Sequence, residues 1–434
     1  MKKVGLVSLG CAKNLVDSEM ILGLLEKDKY LLTNDPKDAD IIIVNTCAFI
    51  EDSKKEAIQT IFDMLSYKNA KLVVVGCLAE RYQEILKKEI PEISLFIPIR
   101  DYPHFNDLLG TLDKDLNICG GLDYHSRLLS TKPFTAYLRI SDGCDNRCSY
   151  CAIPLIRGKF KSRPMKEIID EAHILSAKGV KELVVISQDT TKYGIDLPHR
   201  EKVEDLLKEL LKIKQFEYIR LLYLYPDEIS DELIELFGKE KRLTPYFDIP
   251  IQHSESSILK RMNRRGDKTL LMNLFNKIKN RVPSAVLRTT VMLGFPGESK
   301  EDVDGLIKFM EDVKFDHLGS FTYSKEDDTP AFKFTDQISE EEKKARLDLV
   351  MKTQKKISYQ KNKTHIGEVM EGLIVGKKGN QYLLRSYWNA PDDVDGNIYV
   401  NSEIELKEGQ KVKVKITDAF VYDLMGNYVV DISL

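Results

Sequence analysis

The stretch Gly143-Cys144-Asp145-Asn146-Arg147-Cys148-Ser149-Tyr150-Cys151 carries three cysteines with the spacing C-x3-C-x2-C. Three thiolates in one short loop are typical of a metal site rather than of disulfides. A four-iron cluster is usually held by four cysteines, so three without an evident fourth indicate an iron that stays open to a small molecule. The alternatives are a structural zinc site, which normally takes four Cys or His ligands, and three unrelated thiols. The spacing favours the iron–sulfur cluster.

The composition is that of a globular chain with several domains. Its 434 residues suggest about two to four domains. Hydrophobic residues make up 43%, and the formal net charge of −3 gives no overall attraction to nucleic acid or acidic lipid. No apolar run approaches the roughly 20 residues that span a bilayer, and we expect no secretory signal. Seven cysteines with metal-site spacing predict a reducing compartment, most simply the cytoplasm.

Strands and helices alternate in the first domain, for which we predict the bounds 1–115. The predicted strands are 3–9, 41–45 and 72–75, and the predicted helices are 16–25, 54–65 and 80–88. The strands are continuous hydrophobic runs, as in parallel sheets that are buried on both faces. Strand followed by helix, repeated, predicts an open parallel α/β sheet.

Cys11, Cys47 and Cys77 each stand just past the carboxyl end of one of these strands. Such ends lie along one edge of an open α/β sheet, where these folds bind ligands. Buried cysteine is common in cores, so one such position would mean little. Three in consecutive strand–helix units predict a shared metal site.

The middle domain, predicted at 133–362, repeats the alternation six times. Its predicted strands are 135–140, 183–186, 219–222, 246–249, 286–289 and 318–321. Six strands alternating with helices predict a partial (β/α)6 barrel, whose chemistry gathers at the carboxyl ends of the strands. The Cys144 loop follows the first strand and therefore reaches that end. We interpret the basic stretch 157–163 as a solvated loop.

The last domain, predicted at 363–434, has short alternating runs that indicate about five antiparallel strands in a small β-barrel of the oligonucleotide-binding type. From residue 366 it has eleven acidic against seven basic residues, a net charge of −4, which should repel phosphate and attract a basic partner. Asp392, Asp393 and Asp395 are predicted in a turn between strands, where their charges would attract that basic partner; the alternative is a merely solvated loop. Cys119, in the predicted linker 116–132, is interpreted as incidental.

Two sets of motifs resemble known families. The Cys144 loop, with Tyr150 before the third cysteine, resembles the cluster loop of the radical S-adenosylmethionine (SAM) enzymes, in which the open iron binds SAM. Residues 8–14 (SLGCAKN), 45–47 (NTC) and 76–77 (GC) resemble the first domain of the methylthiotransferases, and the last domain resembles their TRAM domain. The resemblance implies SAM and two [4Fe–4S] clusters, held by Cys11, Cys47 and Cys77 and by Cys144, Cys148 and Cys151.

Polar motifs at other strand ends face the same opening. They are 187–190 (SQDT), 250–253 (PIQH) and 294–298 (GFPGE). Given the resemblance, we expect this ring, together with Tyr150, to contact SAM, with Gln188, Gln252 and Gly294 as the representatives of the three motifs. Each motif alone is also typical of a simple turn.

Residues 9–14 and 388–396 (WNAPDDVDG) resemble the branch that methylthiolates an aspartate of ribosomal protein S12. The resemblance implies that a 5′-deoxyadenosyl radical from SAM removes hydrogen from the aspartate β-carbon, and that the second cluster delivers sulfur and a second SAM the methyl group. It also implies S12, an external electron donor and a sulfur donor as partners, with nucleic acid not the main substrate. The alternatives are a tRNA methylthiotransferase acting on a modified adenosine near the anticodon, and an iron–sulfur electron carrier.

Overall fold

The computed structural model describes residues 2–27, 30–112, 121–391 and 394–430, so Cys119, Asp392 and Asp393 lie outside the described residues. Its first part is a parallel sheet with strand order β2-β1-β3-β4-β5, which confirms the predicted open α/β sheet. The elements are β1 (Lys3–Ser8), α1 (Ala12–Lys27), β2 (Leu31–Leu32), β3 (Ile41–Thr46), α2 (Glu51–Leu65), β4 (Lys71–Gly76), α3 (Cys77–Glu89), β5 (Leu95–Pro98) and α4 (Phe105–Gly110). The strands β1, β3 and β4 that precede the three cysteines are direct neighbours.

The middle part confirms the partial barrel. Its elements are β6 (Thr135–Arg139), β7 (Ser141–Asp142), α5 (Ile153–Ile156), β8 (Lys161–Ser162), α6 (Met165–Ala177), β9 (Glu182–Ile186), α7 (Val203–Leu210), β10 (Tyr218–Leu221), α8 (Asp231–Lys239), β11 (Tyr246–Asp248), α9 (Ser256–Arg261), α10 (Lys268–Arg281), β12 (Val286–Leu293), α11 (Lys300–Val313), β13 (His317–Thr322) and α12 (Glu340–Lys363). Two parallel three-stranded sheets, β10-β9-β6 and β11-β12-β13, are joined by a parallel bridge between Ile219 and Leu243.

The barrel strands alternate between two environments, as the period of two in a strand requires. In β6, Ala136 and Leu138 pack outward among the helices, while Tyr137 belongs to a second cluster on the inner side of the sheet. The helices bury one face in return: Val303, Leu306 and Phe309 of α11 are fully buried or nearly so. The outer helices thus fix the sheet, and the inner face is left for the site and for the last domain.

The last part is a closed barrel with strand order β14-β15-β16-β18-β17. The strands are β14 (Val369–Lys378), β15 (Gln381–Ser386), β16 (Ile398–Asn401), β17 (Lys411–Ala419) and β18 (Leu424–Val429). The predicted small barrel is confirmed, although β16 and β18 pair in parallel. Five strands in a closed ring cannot alternate direction all the way round, so one neighbouring pair has to be parallel.

This small barrel packs against the end of the large barrel at which the parallel strands begin. Glu182, at the start of β9, binds Arg220 Nε through Oε1 at 2.6 Å and Arg385 Nε through Oε2 at 2.7 Å. The buried Trp388 packs edge-on against His317, with ring centroids 4.7 Å apart. The opposite end, which carries the Cys144 loop, therefore stays clear of the last domain. No helix in the described part of the chain is long and apolar enough to cross a membrane.

Candidate active site

Cys144, Cys148 and Cys151, here called the barrel trio, lie in the loop that follows β6 and β7. The loop starts at Gly143, whose φ is +73°. A Cβ at Gly143 would overlap the carbonyl oxygen of Lys159, so the turn requires glycine. The Cys151 amide donates to the Cys148 carbonyl at 3.0 Å, which closes a turn between the second and third cysteines, while the Cys144 amide donates to the Gly158 carbonyl at 3.2 Å.

Cys11, Cys47 and Cys77, here called the N-terminal trio, follow the three adjacent strands β1, β3 and β4. Gly10 precedes the first of them with a φ of +90°, and a Cβ there would come within 2.7 Å of the Cys47 Cβ. The backbone of one cysteine loop therefore packs directly on the side chain of the next. The structure brings the three residues to one edge of the sheet, as their positions after consecutive strands predicted.

A buried polar network fixes the loops of the N-terminal trio. Asn14 Nδ2 donates to the carbonyls of Leu9 at 3.0 Å and Thr46 at 2.8 Å, which ties the loop after β1 to the loop after β3. Asn45 Nδ2 donates to the Asn14 carbonyl at 2.9 Å and to Ser18 Oγ at 2.8 Å. These are residues of the motifs that resemble the methylthiotransferases, and the network explains why that pattern needs small polar side chains.

The thiols of each trio interact electrostatically. Burial raises the pKa of Cys77 to about 12, and charge repulsion from Cys47 and Cys11 adds to this effect. Burial likewise raises the pKa of Cys144 to about 11 and that of Cys151, and in both cases Cys148 raises it further. A thiolate in such a place needs a compensating cation, which iron supplies, so metal binding would release protons here.

The donor sets fit iron–sulfur clusters better than single ions. The six cysteines are free thiols, three on each side of one interface. In the described ranges, no three Cys, His, Asp or Glu side chains converge closely enough to hold one metal ion. Zinc needs such convergence, because its bonds are about 2.0–2.3 Å long. A four-iron cluster is larger than an ion and takes more widely spaced sulfur ligands, which matches three thiols around a turn or along a sheet edge.

The two trios belong to loops that contact each other. Ala152 and Ile156, at the helix α5 that follows the barrel trio, share a hydrophobic cluster with Cys77 and Leu78. These four residues are almost fully buried, so α5 and α3 pack against each other rather than meet at the surface. The barrel trio and the N-terminal trio therefore lie on either side of one packed seam.

Arg157 crosses this seam with a side chain that is 3% exposed. Its Nη2 lies 2.7 Å from Asp17 Oδ2 and donates to Asn14 Oδ1 at 2.7 Å, and its Nη1 lies 3.3 Å from Asp142 Oδ2. Asn14 Oδ1 in turn is 3.6 Å from the Cys77 sulfur. The interpretation of stretch 157–163 as a solvated loop holds for the exposed Lys159 and Lys161 but was wrong for Arg157, whose charge is satisfied by Asp17 and Asn14 of the first domain.

Tyr150 and Cys148 share a buried cation, Arg264, which the sequence did not indicate. Arg264 Nη1 lies 3.3 Å from the Tyr150 hydroxyl and 3.8 Å from the Cys148 sulfur. Its Nη2 donates to the Pro250 carbonyl at 2.7 Å, and its guanidinium stacks over Tyr225, 4.3 Å from the ring centroid. The guanidinium thus places a fixed positive charge beside Cys148, one of the three sulfurs of the barrel trio.

Gln188 and Gln252 follow the strands β9 and β11, so both stand at the carboxyl end of the barrel. Gln188 Nε2 donates to Asp142 Oδ1 at 2.9 Å, while its Oε1 is buried. Gln252 has a φ of +68°, and its Oε1 is buried as well. Neither oxygen has a hydrogen-bond partner among the residues that the structure describes. Buried acceptors without a partner are costly, so these two suit a ligand that brings donors.

Gly294 has a packing role in the structure. Its amide donates to both carboxylate oxygens of Glu298 at 3.0 Å, and a Cβ at its φ of +72° would overlap the Lys343 side chain of α12. The next residue, Phe295, packs edge-on against Tyr150 with centroids 6.5 Å apart. Gly294 therefore shapes the wall around Tyr150, and its contact with SAM stays a prediction.

Lys13 belongs to the motif 8–14, and the structure places its side chain where the first domain meets the strand ends of the barrel. It is 7% exposed, and its Nζ lies over the ring of Tyr223, 2.8 Å from the centroid. Burial lowers its pKa to about 8. Tyr223 follows β10 and has a φ of +65°, an uncommon conformation that clusters at functional sites. A side chain from the first domain thus reaches the strand ends of the barrel.

Asp395 does not offer its charge to a basic partner. Its side chain is 1% exposed, and its Oδ2 accepts from the Tyr246 hydroxyl at 2.6 Å and from the Ala390 amide at 2.8 Å. The prediction for Asp395 was wrong because its partner Tyr246 belongs to another domain. Its charge faces the large barrel and is unavailable to a second protein.

Three family models match the chain in order. Residues 3–98 match the uncharacterized protein family UPF0004, residues 138–310 the radical SAM superfamily, and residues 366–429 the TRAM domain. The chain is 46% identical, over 98% of both chains, to the "Ribosomal protein uS12 methylthiotransferase RimO" of Alkaliphilus oremlandii. It is 45% identical, over the full length of both chains, to the protein of the same name from Clostridioides difficile.

Solved structures share the fold at low identity. The radical SAM methyltransferase TsrM from Kitasatospora setae has a TM-score of 0.55 at 14% identity, covering 74% of this chain and 73% of its own. The cobalamin-dependent radical SAM enzyme OxsB has a TM-score of 0.51 at 12% identity, covering 81% of this chain and 56% of its own. The relatives that match over the whole length and the three matched family models indicate the same family, and the two trios agree with it. The chain belongs to the RimO methylthiotransferases of the radical SAM superfamily.

Proposed function

We propose that this chain transfers a methylthio group to the β-carbon of an aspartate of ribosomal protein S12, the uS12 of its relatives' names. The observation that carries the proposal is the identity of about 45% along essentially the whole length with proteins of that name. Substrate choice depends on the whole chain rather than on the cluster loop alone, and the likeness extends through all three matched regions. The chemistry needs a ribosomal partner, so we place it in the cytoplasm.

We propose two [4Fe–4S] clusters, one held by each trio. Each set supplies three thiols that lie close enough to affect one another's pKa. Three protein ligands for four irons leave one iron open at each site. The barrel trio then binds SAM, because it stands at the carboxyl end of the barrel, and the N-terminal trio serves sulfur transfer across the seam that Arg157 crosses.

Tyr150, Gln188 and Gln252 are the SAM contacts that the geometry supports. The two glutamine oxygens are buried acceptors that suit the amino group and the ribose hydroxyls of SAM. Tyr150 lies beside Cys148 and forms an apolar wall with Phe295. Gly294 remains in the proposed set, although its amide is already bound by Glu298.

When bound, the cluster and SAM supply the one-electron chemistry that makes an unactivated carbon reactive, and a second SAM per turnover supplies the methyl group. The residues of the chain itself position the reacting groups and exclude water from them. The backbone turn at Gly143, the network around Asn14 and the charge of Arg157 hold the two thiol sets in fixed relation. Cys47, Cys77 and Cys148 are buried, which limits the access of water to both sets, whereas Cys11 is exposed.

The last barrel supports a protein substrate less strongly than its net charge suggests. Of its acidic residues, Asp395 is buried, Glu368 binds His365 and Tyr387, and Glu371 pairs with Lys411. These three carboxylates are therefore engaged within the chain and not available to a basic partner. The proposal of S12 rather than tRNA rests on the relatives, with the acidic surplus as a secondary argument. The domain bounds 1–115, 133–362 and 363–434 and the linker 116–132 are likewise proposals.

The test is a comparison of two substrates from the same cells. S12 and total tRNA are isolated from the source organism and from a strain that lacks this gene, and both are analysed by mass spectrometry. We expect S12 to lose the mass of its methylthio group while the methylthiolated tRNA nucleosides stay unchanged. The reverse pattern would assign the chain to tRNA. Loss of neither modification would refute a methylthiotransferase function in the cell.

A further inference from the structure

Lys13 is a buried cation that faces the space between the two trios. It lies in the first turn of α1, two residues after Cys11, and its Nζ rests on the ring of Tyr223 at the end of β10. The charged or ionisable groups around it are Cys11, Asp248 of β11, Arg157 and Asp142 of β7. The ammonium group therefore stands where the edge of the first sheet meets the open end of the barrel.

The carboxylates near Lys13 already bind other groups. Asp248 Oδ1 lies 2.7 Å from Arg288 Nη1, and its Oδ2 accepts from the Tyr223 amide at 3.0 Å. Asp142 accepts from the Gly143 amide and from Gln188 and pairs with Arg157. Lys13 itself has no ion-pair partner within 4 Å among the described residues.

The other buried cations at this seam differ from Lys13 in this respect. Arg139 Nη1 lies 2.7 Å from Asp17 Oδ1, Arg157 lies 2.7 Å from the other oxygen of the same carboxylate, and Arg288 pairs with Asp248. A buried charge is costly without a partner, so each of these guanidiniums has one. Lys13, by contrast, has only the Tyr223 ring against its ammonium group among the contacts of the described residues, so its charge can meet a group that enters the space.

We propose that Lys13 binds the side-chain carboxylate of the target aspartate and so determines specificity for an acidic residue. The inference rests on the proposed function, which makes an aspartate β-carbon the reacting atom. A carboxylate loses its hydration on entering a closed site and needs a charged partner there. An ammonium that holds the carboxylate also fixes the adjacent β-carbon, which is one bond away. Lys13 is thus a substrate-binding residue, supplied by the first domain to a reaction in the barrel.

The experiment measures binding of whole S12 to the anaerobically reconstituted, full-length protein with SAM but without reductant, so that no turnover occurs. Two forms of S12 are compared: the natural protein and one with the target aspartate changed to asparagine. Binding is measured for the wild-type protein and for the variants Lys13→Met, Lys13→Arg and Lys159→Met. Lys159 is an exposed lysine close to the barrel trio and controls for the loss of one positive charge. Iron content is measured for every variant.

The wild type should bind the aspartate form about tenfold to a hundredfold more tightly than the asparagine form, as one charge-assisted hydrogen bond implies. Lys13→Met should lose this preference, Lys13→Arg should keep part of it, and Lys159→Met should keep all of it. The inference would be overturned if Lys13→Met kept the preference for the aspartate form, or if the wild type showed no such preference. Either result would count even if the wild type methylthiolates S12. Loss of about half the iron in Lys13→Met would also overturn it, because Lys13 would then serve the N-terminal cluster. A wild type that neither binds nor modifies S12 would refute the proposed function and the inference with it.

Discussion

Replacing Arg157 with methionine tests whether the seam between the trios is held by a buried charge. Methionine keeps much of the length and apolar surface of the arginine stem but removes the guanidinium. The change deletes the bonds to Asp17 and Asn14, both 2.7 Å long, and the weaker pair with Asp142. Asp17 is left 0% exposed with Arg139 as its remaining charged partner.

The expected cost follows from these contacts. Leaving a buried charge without any partner lowers the free energy of unfolding by about 3–5 kcal/mol. A hydrogen bond to a charged group contributes about 1.5–3 kcal/mol to it. Asp17 keeps Arg139 at 2.7 Å, which reduces the first figure, while Asn14 loses its charged donor outright. We therefore expect Arg157→Met to lower the free energy of unfolding by about 3 kcal/mol.

Two assays check this prediction. Urea unfolding of the iron-free protein, followed by far-UV circular dichroism, measures stability, and the ratio of methylthiolated S12 to 5′-deoxyadenosine measures how well radical formation is coupled to sulfur transfer. The ratio should fall, because the two cysteine loops are no longer fixed to each other, while SAM cleavage continues. Arg100→Met is the matched control, since Arg100 binds Glu80 on the surface and is 53% exposed. Its cost should stay below about 1 kcal/mol. If Arg157→Met matched the control in both assays, the reasoning would be refuted.

The remaining predictions concern the two trios and the junction with the last barrel. Alanine at all three positions of the barrel trio should leave about half of the roughly eight irons of the loaded protein and abolish SAM cleavage, and continued release of 5′-deoxyadenosine would contradict that assignment. Alanine throughout the N-terminal trio should preserve 5′-deoxyadenosine formation and stop methylthiolation, whereas unchanged iron content would show that these cysteines bind no cluster. Glu182→Gln should cost about 3 kcal/mol, because Arg220 and Arg385 lose their buried counter-charge. Trp388, the sole tryptophan, is buried at this junction, so the urea midpoint of its fluorescence measures the cost, and an unchanged midpoint would argue against it. Burial opposes ionisation of Glu182, but Arg385 and Arg220 outweigh it and lower its pKa. The stabilisation is therefore present above the unfolded pKa of about 4.3 and is lost as pH falls through the lower folded value, so wild type and Glu182→Gln should converge in acid.

Local patterns were sufficient to predict the fold and the positions of the cysteines. Hydrophobic runs such as 41–45 and 72–75 are long enough to identify as buried strands, and strand–helix alternation dictates a parallel sheet. The edge position of the N-terminal trio then follows from topology alone. The parallel pair β16 and β18 was not predicted, because pairing direction inside a closed barrel depends on the number of strands that close it.

The charged residues around the site could not be predicted in this way. Arg157 and Asp17 are 140 residues apart in sequence, and Asp395 binds Tyr246 across 149 residues. A polar residue in a loop normally indicates solvent, and only the packing of one domain on another reverses that expectation. Lys13 shows the same limit, because its motif was visible while its position over Tyr223 depends on how the first domain meets the barrel.

The most direct test of the central claim is a single reaction. Anaerobically reconstituted protein is mixed with S12, SAM and a chemical reductant, and S12 is digested and analysed by mass spectrometry. The account predicts one methylthio group on the β-carbon of one aspartate, with 5′-deoxyadenosine formed alongside. Formation of 5′-deoxyadenosine with unmodified S12, and methylthiolation of tRNA under the same conditions, would contradict it.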